Sequence, residues 1–179
     1  MKNLIILYVR TGSEEKLLSL LKKNLNTEEY FPFCPVKETP YRRKGVINKN
    51  RKHLFPGYIF IQTNIEACSI SEKLGLTLMK ISQHKNIYKL LHYGEDKKDV
   101  VVREKERRNW ERLFDSNFCI TGSVGFIEGE KIRVTSGALV GMESRITKIN
   151  RHKREAVVEI EMMGAVRKVT LMLEVITKI

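Results

Sequence analysis

The sequence predicts an α+β chain in two parts, a mixed α/β unit over residues 1–115 and a small all-β barrel over residues 126–179. Three observations carry this reading. Up to Asp115, β-prone apolar runs alternate with segments of helical periodicity. Residues 116–125 then carry no charge and two glycines, a linker-like composition. Beyond them helical periodicity disappears, and short β-prone runs follow one another closely.

Leu4–Val9 is apolar without alternation, the pattern of a strand buried on both faces. Thr11-Gly-Ser-Glu14 reads as a capping box, with Thr11 as N-cap and Glu14 three residues on. The helix it opens puts Leu17, Leu18, Leu21 and Leu25 on one stripe and should end between Asn24 and Asn26. Two prolines in Tyr30–Val36 suit an irregular or edge strand. A polar stretch, 37–53, precedes a second β-prone run, Leu54–Ile61. Ala67, Ile70, Leu74, Leu78 and Ile81 recur at helical spacing despite Gly75 and Thr77. Asn86–Leu91 reads as a short strand, and Arg103–Phe114 as an amphipathic helix with Trp110, Leu113 and Phe114 on one side. In the second part Ile132–Val134, Ile146–Ile149, Ala156–Glu161, Val166–Leu173 and Val175–Ile176 give about five strands, and closure into a barrel would remove exposed edges.

A hydrophobic content of 42% is enough for a packed core. Charge is less ordinary: 33 Lys and Arg face 21 Asp and Glu, a net +12 that predicts attraction to polyanions. Residues 1–117 hold 23 basic and 14 acidic side chains and residues 118–179 hold 10 and 7, which favours the first part as the polyanion binder. The longest apolar run has six residues against the roughly 18 that a membrane span requires, so no membrane role is expected. Cys34, Cys68 and Cys119 are too scattered for a disulfide framework and fit reduced thiols in a cytoplasmic protein. His53, His84, His92 and His152 are dispersed and lack metal-ligand spacing with any cysteine. There is no glycine-rich phosphate loop. Neither a metal, a cofactor nor a catalytic residue is expected, and the chain reads as a non-enzyme.

The densest cationic cluster is Pro40–His53, with Arg42, Arg43, Lys44, Lys49, Arg51 and Lys52, no acid, and Gly45 at a turn tip. On a hairpin these side chains would present arginine forks and lysine point charges to phosphates or base edges, and Lys37 is counted with them. The competing reading is a solvated loop; the absence of interleaved acid favours nucleic-acid contact. Arg151–Arg154 is a second basic turn, too short to favour anything beyond solvation. Phe55-Pro56-Gly57-Tyr58 breaks a strand, so a bulge or close backbone approach is expected there. Composition alone assigns Phe55 and Tyr58 to ordinary core packing.

Two signatures resemble the NusG-type transcription elongation factors. Val9–Lys16, a strand entering a capped helix, followed by Phe55–Ile61 is similar to the amino-terminal (NGN) domain of that family, and Glu128–Ile146 resembles its KOW motif. Leu171–Ile176 and the basic hairpin are most similar to the specialised LoaP paralogs. The sequence departs from the family where Leu4 and Ile5 replace a common Trp-Tyr pair, and where Ala138 and Ser144 stand in the KOW turn.

The resemblance implies a domain with a central, largely antiparallel sheet joined by a short linker to an SH3-like barrel. It implies binding to the RNA polymerase clamp helices beside Phe55, Pro56 and Tyr58, which moves these residues from core to interface. It implies contact with an RNA hairpin or exposed DNA strand through the basic cluster. The KOW residues would be Gly129, Val134, Gly137 and Gly141, and that barrel would recruit a ribosomal protein or termination factor. The expected function is processive antitermination. The rival is a ribosome-associated KOW-domain RNA-binding protein.

Overall fold

The computed structural model describes residues 2–81 and 86–176; His84 lies outside them. The described residues form an α+β structure of three helices and twelve strands in three sheets. Two compact units result, each discontinuous in sequence: residues 1–35 with 55–107, and residues 36–54 with 108–179.

The first unit is built on β1 (Asn3–Val9), which pairs antiparallel with β5 (Tyr58–Thr63) from Asn3↔Thr63 to Tyr8↔Tyr58 and with β6 (Ile87–Leu90) on its other side. The proline-bearing β2 (Tyr30–Phe33) takes the outer edge, giving the order β2-β5-β1-β6. Side chains alternate along the strands, so Ile5, Leu7 and Val9 share a face with Ile59 and Ile61. That face forms one core with Leu17, Leu21 and Leu25 beside α1 (Glu14–Asn24) and Ile70, Leu74, Leu78 and Ile81 of α2 (Ala67–Ile81). Each such burial contributes about 1.5–3 kcal/mol, so four in α2 outweigh the roughly 1 kcal/mol that Gly75 costs its helix.

The capping box does not form. Ser13 is the N-cap and makes no side-chain cap bond. Glu14 is instead buried, and its carboxylate accepts the backbone N–H of Gly12 at 2.6 Å and of Gly57 at 2.7 Å. The carboxylate expected to cap a helix thus ties the start of α1 to the bend before β5. At the start of α3 (Glu104–Leu113), the Tyr93 hydroxyl donates to Glu106 at 2.8 Å and accepts the Arg103 N–H at 3.1 Å. Trp110 and Leu113 of α3 are buried, as their periodicity predicts.

In the second unit, β3 (Val36–Arg43) and β4 (Val46–His53) form a hairpin of eight facing pairs. Its two-residue turn, Lys44-Gly45, has φ of 50° and 81°, the left-handed pair that matches strand twist. The stretch 116–125 is not free chain: β7 (Cys119–Ile120) runs parallel to β3, pairing Val36 with Cys119 and Lys37 with Ile120, and Ser123 opens the next strand. The five remaining strands are β8 (Ser123–Glu128), β9 (Lys131–Ser136), β10 (Ile146–Asn150), β11 (Glu155–Met162) and β12 (Ala165–Ile176). They form a sheet ordered β10-β11-β12-β8-β9. The closed barrel expected from strand spacing is not seen: no ladder joins β9 to β10 among the described residues. A 3-10 turn at Glu143–Arg145 lies between these two edge strands. Strand β11 buries Ala156, Val158, Ile160 and Met162 in strict alternation, the pattern of a sheet with one wet face.

Grouping the hairpin with the second unit relocates the charge. That unit holds 19 basic and 10 acidic residues, and the first holds 14 and 11. The cationic excess follows the hairpin, not the amino-terminal half as a whole.

Candidate functional site

In the first unit the sheet face opposite α1 and α2 carries a row of aromatic rings. Strand alternation and the Tyr8↔Tyr58 and Ile6↔Phe60 pairs set it up. Ring centroids are 5.0 Å apart for Tyr88 and Tyr8, 5.1 Å for Tyr8 and Tyr58, and 6.3 Å for Tyr58 and Phe55. The row continues through Phe60 (6.4 Å from Phe55) to Phe33 (5.7 Å) and Phe31 (6.2 Å). Phe60 is fully buried, whereas Tyr8, Phe55 and Tyr58 are half-buried and Tyr88 and Phe31 are 55% and 40% exposed. Pro56 is exposed between them. The row is therefore anchored in the core and open to solvent at its ends.

The bend that brings Phe55 and Tyr58 together needs glycine. Gly57 has φ +86°, and a Cβ there would lie 3.0 Å from the Thr11 hydroxyl and 3.2 Å from the Val9 carbonyl. The Gly57 N–H is held by Glu14, its carbonyl accepts the Val9 N–H at 2.8 Å, and Tyr58 N–H bonds the Phe55 carbonyl at 3.2 Å. Beside Tyr88, a groove of about 470 Å³ between α2 and β6 is lined by Leu78, Met79 and Leu90. The sequence singled out neither Tyr8 nor Tyr88, and it marked Glu14 only as a capping residue of α1. Tyr8 was legible only as one residue of an unbroken apolar run, and its ring contacts arise from cross-strand register.

The second unit carries the basic hairpin, clamped at its base. Val36 N–H bonds the Phe118 carbonyl at 3.1 Å, the Lys37 ammonium donates to the Thr170 carbonyl at 2.7 Å, and Glu38 accepts the Gly122 N–H at 2.7 Å. Burial pushes Lys37 below its ordinary pKa, with Lys52 adding and Glu155 opposing. Burial alone would raise the Glu38 carboxyl, but the Gly122 N–H bond, Lys49 at 2.9 Å and Arg51 together hold it below the usual range. Lys37 and Lys49 thus serve the hairpin itself. Arg42, Arg43, Lys44, Arg51 and Lys52 are exposed.

Of the four KOW candidates, Gly129, Gly137 and Gly141 occupy left-handed turn positions with φ of 61°, 92° and 73°. Val134 is buried in β9. Beside them Ser123, buried, accepts the Leu139 N–H at 3.0 Å and pins the turn after β9. Among the described residues, no three His, Cys, Asp or Glu side chains group as metal ligands, and no helix is long and apolar enough to cross a membrane.

Residues 2–111 match the family model described as transcription termination factor nusG. The chain belongs to the NusG family. It is thereby placed among transcription elongation and termination factors, proteins that generally bind RNA polymerase. No curated protein matches the chain. The matched segment contains the whole aromatic row and the basic hairpin of this NusG-family chain, and it ends within α3.

Proposed function

We propose that this NusG-family chain is a processive antitermination factor of the LoaP kind, a cytoplasmic non-enzyme that binds the clamp helices of RNA polymerase and a nucleic acid together. The aromatic row around Phe55, Pro56 and Tyr58 is the polymerase-facing surface. Its exposed ends offer apolar area and its buried centre offers rigidity, the combination that anchors an interface. The domain division in this reading is an NGN domain over 1–115 and a KOW, SH3-like module over 126–179. The KOW module recruits a further protein, a ribosomal component or a termination factor.

The observation that carries the nucleic-acid half is the hairpin, with Arg42, Arg43 and Lys44 exposed at its tip and Arg51 and Lys52 exposed toward its base. A narrow, rigid, cationic projection suits contact with phosphates and groove edges, and a nascent RNA hairpin is the ligand we favour. Binding that prefers the closed polymerase clamp would stabilise the elongating state by differential affinity. Coupling two weak contacts in one chain raises the effective concentration of each and makes loading selective.

The test replaces Arg42, Arg43, Lys44, Arg51 and Lys52 by alanine together and measures RNA-hairpin affinity against salt. If each cation neutralises one phosphate, the logarithmic salt slope falls by about 4. An unchanged affinity and slope would refute the assignment. The ribosome-associated alternative expects co-sedimentation with ribosomal subunits and no retention on polymerase.

A further inference from the structure

A groove of about 470 Å³ lies within the second unit, between the hairpin and the β10–β11 turn. Tyr41, Arg42 and Ile47 line it from the hairpin, and Arg151, His152 and Lys153 line it from the turn. We infer that this groove is a binding site for one unpaired polynucleotide strand, so that the short turn at 151–154, read from the sequence as solvated charge, grips an unpaired segment of the nucleic acid whose other parts the hairpin contacts. This rests on the nucleic-acid half of the function proposed above and extends it to a second element.

Four features support a strand-sized site. The first is its walls, which are already in place. The hairpin base is tied to the five-stranded sheet by the Lys37–Thr170 and Glu38–Gly122 bonds. The turn is held by the Lys153 N–H on the Asn150 side chain (3.0 Å), Arg154 N–H on the Arg151 carbonyl (3.2 Å) and Leu173 N–H on the Arg154 carbonyl (3.0 Å). These bonds cut the backbone ordering cost of taking up a ligand.

The second is charge. Arg42 from the hairpin and Arg151 and Lys153 from the turn are exposed and line the groove with His152, while the lining contains one acid, Glu155. The remaining turn cation, Arg154, is engaged by Glu174 at 2.7 Å and serves the fold. The third is Tyr41, an aromatic residue at 44% exposure that lines the groove along with Pro40 and Ile47. A cationic track with an adjoining aromatic face is how single strands are held without sequence readout. The fourth is size: the volume suits one nucleotide-sized group, as in small-ligand pockets.

The experiment uses the full chain and three fluorescent probes: an unpaired oligoribonucleotide of about 12 nucleotides, the same sequence as DNA, and a blunt DNA duplex. Two variants are compared with wild type, Arg151→Ala with Lys153→Ala, and Tyr41→Ala against Tyr41→Phe. The turn variant should lower the single-strand salt slope by about 1.5. Tyr41→Ala should weaken single-strand binding by about fivefold or more while Tyr41→Phe binds as wild type. Both single strands should bind more tightly than the duplex, and a preference for the RNA over the DNA strand would name the transcript as the source.

If the turn variant keeps the wild-type slope while the five-cation hairpin variant loses it, the groove is refuted and the hairpin reading stands. If neither variant changes the slope, both fail. Duplex binding equal to single-strand binding also overturns the groove. Circular dichroism of the turn variant should match wild type, since Arg151 and Lys153 are exposed and their side chains make no bond among the described residues.

Discussion

The Glu14 carboxylate is the point where helix α1 and the Phe-Pro-Gly-Tyr bend depend on one side chain, and Glu14→Gln isolates that dependence. Its two oxygens accept separate backbone N–H groups, Gly12 at 2.6 Å and Gly57 at 2.7 Å. Charge-assisted bonds of this kind contribute about 1.5–3 kcal/mol each. Glutamine keeps the length and one acceptor oxygen, but its NH₂ group meets an N–H donor in place of the other. Gly57 is buried and Gly12 is exposed, so water replaces the bond at Gly12 far better than at Gly57. The amide therefore settles with its oxygen on Gly57, and the loss is one charge-assisted bond plus the charge at the helix start, about 2 kcal/mol in all. Glu14→Ala abandons both N–H groups and should cost about 3–4 kcal/mol. For a chain of this size, 2 kcal/mol corresponds to a fall in Tm of about 4–8 °C. Urea unfolding followed by circular dichroism measures the loss as a lower midpoint at unchanged slope. A Glu14→Gln midpoint within about 0.5 kcal/mol of wild type, the range of an ordinary surface substitution, would refute the reasoning.

Gly137→Ala should destabilise the second unit by more than about 2 kcal/mol, because φ is +92° and the added methyl would overlap the Gly122 carbonyl and Ser123 Cα; an unaltered urea midpoint would contradict this. Iodoacetamide at about pH 8 should label the native chain at Cys68 alone, since Cys68 is exposed, the half-buried Cys34 thiol is pushed up to about 12 by desolvation and by Glu15 and Glu14, and Cys119 is fully buried and raised as well. Mass spectrometry should find all three cysteines labelled in urea, and native labelling at Cys34 would oppose the assignment. Because the folded chain holds Glu38 below the usual carboxylate range, its bonds to Gly122 and Lys49 stabilise the hairpin fully above the unfolded carboxylate pKa. That contribution is lost as pH falls through the lower folded value, so wild type should lose more stability between about pH 5 and pH 2 than Glu38→Gln does, and parallel pH profiles would rule it out.

Much of the fold was legible in the sequence because its signals are local. The Leu17–Leu25 stripe, the Ile70–Ile81 periodicity and Gly45 at a hairpin tip each appear in the structure where their spacing placed them. What was not legible depends on partners far along the chain. Cys119-Ile120 looks like linker in isolation and becomes a strand only because β3, some eighty residues earlier, offers a parallel edge. Thr11-Gly-Ser-Glu14 matches a capping pattern, yet the Gly57 N–H, 43 residues away, claims the Glu14 carboxylate. The division at 116–125 followed composition, whereas the contacts of the hairpin group it with the chain beyond residue 107. At the candidate site, the basic hairpin and the bend were visible as composition. The aromatic row was not, since Tyr88, Tyr8 and Tyr58 lie on three strands and meet only through register.

Polymerase binding decides between this account and its rivals. Purified core RNA polymerase, immobilised at low ionic strength, should retain the wild-type chain and lose most of it when Phe55 and Tyr58 are both replaced by serine, while a variant lacking the five hairpin cations should still be held. Retention of the Phe55 and Tyr58 double variant equal to wild type would contradict the docking surface, and failure of the wild-type chain to bind at all would contradict the function.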